Sequence, residues 1–236
     1  MQQQPGSVRV RIFTDAVVLG DPGNDRLLRR AVAETSGCAL ESVVLERHCR
    51  YCGAEHGKPL VLSPMPDAPS PTPGVREGEV VADRWQASVA RCPGRVVVAI
   101  AAGVPVGVDV ESIERMRRAP VDDVAFHPHE LKQLGRLKGA SAERARAQLW
   151  TRKEAVLKAT GEGLRVDLAR IRFAGVGEEN PRRGVRIVSW PQDSTHPGSV
   201  RLRDLDFGGG LVGAIAALTD RALAIEFADP ENQRPS

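Results

Sequence analysis

Aromatic side chains are scarce in this sequence of 236 residues: phenylalanine, tryptophan and tyrosine make up 4% of it, and there is one tyrosine. With 42% hydrophobic residues the chain can bury a core, but it must build that core from Val, Leu and Ala, in one large domain or two small ones. Long apolar runs are lacking too. No uncharged stretch exceeds 13 residues; Val96 to Val108 has that length and is interrupted by Gly103, Pro105 and Gly107. A membrane-crossing helix needs roughly 20 apolar residues, so none is expected. The segment Met1 to Pro5 has neither a charged nor an apolar leader region, which makes a cytoplasmic location the expectation. Four cysteines, Cys38, Cys49, Cys52 and Cys92, are too few for a disulfide framework at this length, and reduced thiols are expected. The 33 basic and 30 acidic residues leave a net charge of +3 with the signs interleaved, so no nucleic-acid partner is expected. Only five of those cations are lysines: Lys58, Lys132, Lys138, Lys153 and Lys158.

The periodic pattern places a first helix from Gly23-Asn24-Asp25 to Gly37, with Leu27, Leu28, Ala31 and Val32 as its apolar face. Val43 to Leu45 reads as a short strand, and the proline-rich stretch 63–78 as an irregular loop. The β-branched run from Val96 to Ala101 and the alternating run from Val106 to Glu111 read as a hairpin turned at Ala102-Gly103. A long helix is expected from about Ala142 to Ala159, ended by Gly161 and Gly163, then a strand over Leu168 to Phe173. A final hairpin is expected between Leu211–Leu218 and Ala222–Phe227. The segment Ala99-Ile100-Ala101-Ala102 is echoed by Ala214-Ile215-Ala216-Ala217. The echo points to an α+β fold of two pseudo-symmetric α/β subdomains, 1–105 and 106–236, with a cleft between them where a small-molecule site forms.

Two segments carry chemistry. In Gly107-Val108-Asp109-Val110-Glu111 the period-two alternation of a strand puts both carboxylates on one face. In Trp150-Thr151-Arg152-Lys153-Glu154-Ala155-Val156-Leu157-Lys158 helical spacing puts Trp150, Glu154 and Lys158 on one face. Taken singly, each motif also fits an ordinary solvated surface.

In order, Gly57-Lys58-Pro59, Gly107 to Glu111 and Trp150 to Lys158, followed by Gly161-Glu162-Gly163-Leu164, resemble the 4′-phosphopantetheinyl transferases of the Sfp type, above all the actinobacterial ones. The resemblance covers roughly residues 24 to 175, and 38 residues separate the strand motif from the helix motif. It implies a monomeric enzyme with its active site in the cleft between the subdomains. The implied reaction transfers the phosphopantetheine arm of coenzyme A to a serine of an apo acyl or peptidyl carrier protein, with release of 3′,5′-ADP. Such carriers serve polyketide, nonribosomal peptide or fatty acid synthesis. Asp109, Glu111 and Glu154 are the implied Mg²⁺ ligands, hard oxygens suited to that ion. Glu154, Lys158 and Asp109 are the implied catalytic residues. Glu154 is the best candidate to take the serine proton, with Glu111 or a neighbouring water as alternatives, and Lys158 stabilises the leaving phosphate. Lys58, Arg26, Arg91 and Lys158 are the implied coenzyme A contacts. Lys58, Lys153 and Lys158 all fall inside the motifs, which fits sites where a compact ammonium stands beside phosphate and metal.

The sequence departs from the family pattern at Ala90-Arg91-Cys92, where a Ser-His-Ser segment is usual. Arg91 keeps a cation for a phosphate, but the lost hydroxyls leave open a second reading, a catalytically weakened coenzyme A-binding regulatory module. The cluster His48-Cys49-Arg50-Tyr51-Cys52-Gly53-Ala54-Glu55-His56 fits either a small zinc site or a packed loop beside the nucleotide. His127-Pro128-His129-Glu130 reads as a helix cap. Arg115, Arg117 and Arg118 fit either a carrier-docking surface or a solvated basic run.

Overall fold

The computed structural model describes residues 6–16, 24–49, 51–65, 84–118, 121–174, 186–191 and 197–228; most of the expected irregular loop, from 66 onward, lies outside them. The first half runs β1 (Val8–Asp15), α1 (Asn24–Ser36), β2 (Val44–Arg47), β3 (Pro59–Ser63), β4 (Trp85–Cys92) and β5 (Arg95–Ala102). The second runs β6 (Val106–Ser112), α2 (Ile113–Arg118), α3 (Asp122–Ala125), α4 (Pro128–Leu134), α5 (Gly139–Thr160), β7 (Arg172–Ala174), β8 (Arg186–Ser189), β9 (Arg201–Gly208), β10 (Leu211–Ala217) and β11 (Leu223–Phe227). No helix among them is long and apolar enough to cross a membrane.

The strands form a six-stranded sheet in the order β11-β1-β5-β4-β3-β2, a three-stranded sheet β6-β10-β9 and a small pair β7-β8. The two larger sheets pack back to back. Val106, Val108 and Val110 of β6 share one core with Val10 of β1, Ala90 and Cys92 of β4, and Val97 and Ala99 of β5. The far face of the larger sheet, Phe13, Val98 and Ile100, receives Leu27, Leu28, Ala31 and Val32 of α1, the apolar stripe expected from the sequence. The far face of the smaller sheet, Ala214 and Ala216, receives Leu149, Val156 and Leu157 of α5. The result is a four-layered α+β fold, helix on sheet on sheet on helix.

Both hairpins foreseen from the sequence are corrected. The strand β5 is antiparallel to β1 on one edge and to β4 on the other, so no edge is left for β6, which pairs with β10 instead. Likewise β10 lies between β6 and β9, and β11 crosses to the other sheet to run parallel to β1. The true hairpins are β4-β5, with Pro93-Gly94 between Cys92 and Arg95, and β9-β10. The second turns at Gly209-Gly210, whose φ values of +60° and +76° suit the right-handed twist of a two-residue hairpin turn.

These pairings reveal a topological repeat. Each half gives a first strand, a packing helix, a short antiparallel pair and a hairpin: β1, α1, β2-β3 and β4-β5, then β6, α5, β7-β8 and β9-β10. The echoed Ala-Ile-Ala-Ala segments fall on the two corresponding central strands, β5 and β10.

Smaller corrections have local causes. The stretch expected as a strand over Leu168 to Phe173 begins as a 3₁₀ turn, Leu168–Arg170, because the Asp167 carboxylate accepts the Ala169 N–H at 2.9 Å. The early strand lies at Val44–Arg47, and α5 starts ahead of the expected Ala142, at Gly139. His127 and Glu130 cap α4 reciprocally: the His127 ring accepts the His129 N–H at 3.1 Å and Glu130 accepts the His127 N–H at 2.9 Å.

Candidate active site between strand β6 and helix α5

Both faces of β6 are covered. Its valines point into the core between the sheets, and Gly107, Asp109 and Glu111 therefore turn to the other face, toward α5. Gly107 is where strand and helix touch backbone to backbone. A Cβ there would stand 2.0 Å from the Ala155 carbonyl oxygen and 2.3 Å from the Ala159 nitrogen. Only glycine permits that approach, and it carries Asp109, two residues on, to Lys158: Nζ donates to Oδ1 at 2.7 Å.

Asp109 is 5% exposed, and the Lys158 side chain keeps 29% of its surface. Glu154 stands one helical turn before Lys158, within reach of the charges of Asp109 and Glu111. Asp109 Oδ2, Glu111 Oε2 and Glu154 Oε1 are buried with no hydrogen-bond partner among the described residues. Burial pushes the Glu154 carboxyl up to about 7, and the neighbouring Asp109 charge adds to it. Asp109 is raised by burial against the pull of Lys158. Glu111 is raised by burial and by Asp109, with Arg115 opposing. Three carboxyl groups compete with one ammonium, and three oxygens stand without donors. That arrangement suits a hard divalent cation, which binds carboxylate oxygens and favours their ionised form.

Lys58 of the first half reaches the same strand and helix. It is partly buried, desolvation holds it at about 8, and its Nζ donates to the Val106 carbonyl of β6 at 3.0 Å and to the Ala159 carbonyl of α5 at 2.9 Å. An ammonium at the last carbonyls of a helix meets their negative partial charge.

Not every expected residue joins this group. Lys153 is corrected from a phosphate-side cation to a buried pin. It is fully enclosed and donates to Glu130 Oε2 at 2.6 Å and to the carbonyls of Ala125, Leu168 and Ile171 at 2.8, 2.9 and 2.8 Å. Adjacent residues on a helix point about 100° apart, so Glu154 meets the cluster while Lys153 enters the core. Arg91 is exposed on β4, on the face opposite Ala90 and Cys92, which turn toward the second sheet. Arg26 is exposed at the start of α1 and lies 3.7 Å from Asp15. Arg117 and Arg118 both bond Glu114, at 2.8 and 2.9 Å, while the charge of Arg115 acts on Glu111.

Residues 105–208 match a family model described as the 4′-phosphopantetheinyl transferase superfamily. Over that span the chain is similar to that superfamily. The matched span contains β6 and α5, and with them Asp109, Glu111, Glu154 and Lys158. A curated relative, the L-aminoadipate-semialdehyde dehydrogenase-phosphopantetheinyl transferase of Eremothecium gossypii, is 33% identical over 185 residues, which make up 75% of this chain. The chain spans 56% of that relative's length. Two solved structures align with half of the chain or slightly less. A holo-(acyl-carrier-protein) synthase from Bacillus anthracis in complex with CoA (3′,5′-ADP) is 20% identical, with 50% of this chain and 97% of that one covered and a TM-score of 0.39. The holo-ACP-synthase of Plasmodium yoelii is 14% identical, with 48% and 91% covered and a TM-score of 0.36.

Cys92, noted in the sequence only for a lost hydroxyl, proves to be a neighbour of the carboxylates. The Cys92 thiol is pushed up to about 11 by burial first and then by the charges of Glu111 and Asp109. Its position as the last residue of β4, beside a Pro-Gly turn, was legible; its facing β6 depended on how the two sheets stack.

Proposed function

We propose that the chain transfers the 4′-phosphopantetheine arm of coenzyme A to a serine hydroxyl of an apo acyl or peptidyl carrier protein, releasing 3′,5′-ADP. The observation that carries this reading is the convergence of three donor-free carboxyl oxygens with the Lys158 ammonium where β6 crosses α5. The serine oxygen forms a bond to the β-phosphorus of coenzyme A as the bond from that phosphorus to the ADP oxygen breaks. Asp109, Glu111 and Glu154 would hold a Mg²⁺ ion, which supplies charge neutralisation on the pyrophosphate. Glu154 accepts the serine proton, directly or through a water. Lys158 lies against Asp109 with part of its surface open, placed to share its charge with the departing phosphate. Lys58, Arg26 and Arg91 supply cations for the nucleotide end.

The same reading carries the two-subdomain division at 105/106, with β11 returned to the first sheet, a monomeric state and a cytoplasmic location. Its carriers serve polyketide, nonribosomal peptide or fatty acid synthesis. The test is to mix the chain with Mg²⁺, coenzyme A and several apo carriers and weigh the carriers. A gain of one phosphopantetheinyl group is expected, slowed by a factor of about 10² to 10⁴ in Glu154→Gln. Coenzyme A bound at equilibrium with no mass gain on any carrier refutes the transfer and leaves a binding module.

A further inference from the structure

The transfer chemistry makes no use of the segment just before Lys58, although that segment brings together three soft ligands. Cys49 Sγ, Cys52 Sγ and a His56 ring nitrogen lie within 4.8 Å of one another, with Cys52 Sγ 3.0 Å from His56 Nε2. Around a tetrahedral zinc ion with bonds of about 2.3 Å to sulfur and 2.0 Å to nitrogen, ligand atoms stand about 3.5 to 3.8 Å apart. The cluster is already at that scale. Both thiols are unlinked, so the pair is free to ligate.

The backbone holds these side chains in place without a metal. The Cys49 N–H donates to the Ala54 carbonyl at 2.9 Å, the Gly53 N–H donates back to the Cys49 carbonyl at 2.8 Å, and the His56 N–H donates to the Ala54 carbonyl at 2.8 Å. Gly53 takes the left-handed conformation, φ +73°, that reverses the chain directly after the second cysteine. The Tyr51 and Cys52 N–H groups turn toward the Cys49 sulfur and bond it. Two thiolates and an imidazole select zinc over magnesium, whose preference is for oxygen. His48 stays outside the cluster of ligand atoms, which leaves three ligands from this segment.

The loop is also tied to the candidate active site. The Tyr51 hydroxyl bonds the Glu162 carboxylate just past α5, and the Arg165 guanidinium lies 3.8 Å from the centre of the Tyr51 ring. Arg47 bonds the Gly57 carbonyl at 3.0 Å, and Lys58 follows at once with its bonds to β6 and α5.

We infer that Cys49, Cys52 and His56 bind one zinc ion, separate from the carboxylate cluster, and that this ion fixes the loop presenting Lys58 to β6 and α5. The site is structural and does not depend on which carrier, if any, accepts the arm. Metal analysis of the untagged full chain, prepared without chelator, should find about one zinc per chain. Cys52→Ser and His56→Ala should lose it, and His48→Ala and Asp109→Asn should keep it. The cobalt-substituted chain should show thiolate-to-cobalt charge transfer and tetrahedral ligand-field bands, a readout that needs no variant to fold. Chelation should lower Tm, with zinc restoring it and magnesium not. Substoichiometric zinc with a chelator-insensitive Tm overturns the inference. So does a cobalt spectrum without thiolate bands, a Cys52→Ser chain that retains its zinc, or loss of zinc from His48→Ala or Asp109→Asn.

Discussion

Replacing Glu154 by glutamine should invert the usual expectation that losing an active-site carboxylate only weakens an enzyme. In the folded chain this carboxyl is held at about 7, chiefly by burial and then by the charge of Asp109, against an ordinary 4.5. Between those two values the native state keeps a proton that the unfolded state has released, so stability falls as pH rises through the window and levels off above it. Spanning that window at 1.36 kcal/mol per pH unit gives a loss of about 3 kcal/mol. Glutamine matches the protonated carboxyl in shape and does not titrate. Glu154→Gln should therefore equal the parent near pH 4.5 and exceed it by about 3 kcal/mol near pH 7.5, roughly 6 to 12 °C in Tm. The assay is paired thermal and urea unfolding of both chains across that range, with chelator present so that no divalent cation holds the carboxylates ionised. Taking the difference between the chains cancels acid titration elsewhere. Added Mg²⁺ should raise the parent at neutral pH more than the variant. A difference that stays flat with pH, or that favours the parent as pH rises, refutes the electrostatic account of the cluster.

Two further substitutions probe the scaffold. Gly107→Ala places a methyl against the Ala155 carbonyl and the Ala159 nitrogen, both backbone atoms that cannot swing aside. It should cost about 3 kcal/mol or more in urea unfolding, and a variant within error of the parent would mean that β6 and α5 are not in backbone contact. Lys153→Met leaves Glu130 buried without its cation, together with three carbonyls that had shared the ammonium. A loss of about 3 to 5 kcal/mol is expected by chemical denaturation, and a loss below about 1 kcal/mol would contradict the pinning role.

The sequence spoke clearly wherever a local rule sufficed. The stripe of α1, the cap at His127 and Glu130 and the end of α5 at Gly161 follow from spacing and capping within a few residues. The alternation in β6 likewise puts Asp109 and Glu111 on one face before any partner strand is known. Strand pairing was not legible, because whether β6 can join β5 depends on β1 and β4 already holding both edges of β5. Lys153 misled for a related reason. Within the helix motif it looks like a companion of Glu154 and Lys158, and only the packing of residues 125–130 and 168–171 against α5 shows that it faces inward. Glycine gave the opposite lesson: Gly107 is a plain strand residue by pattern, and its meaning lies in the helix pressed against it.

The parallel pairing of β11 with β1 sets a timetable. A strand from near the start of the chain finds its outer neighbour only after β11 has been synthesised, a delay of roughly tens of seconds at ribosomal rates. Through that interval the outer edge of β1 presents its amides and carbonyls as a template open to any extended chain nearby. Birth order thus makes the first sheet the last to close. A chain released short of Leu223 would carry the helix and strand of the candidate active site and still display an unguarded edge at the other end of the larger sheet.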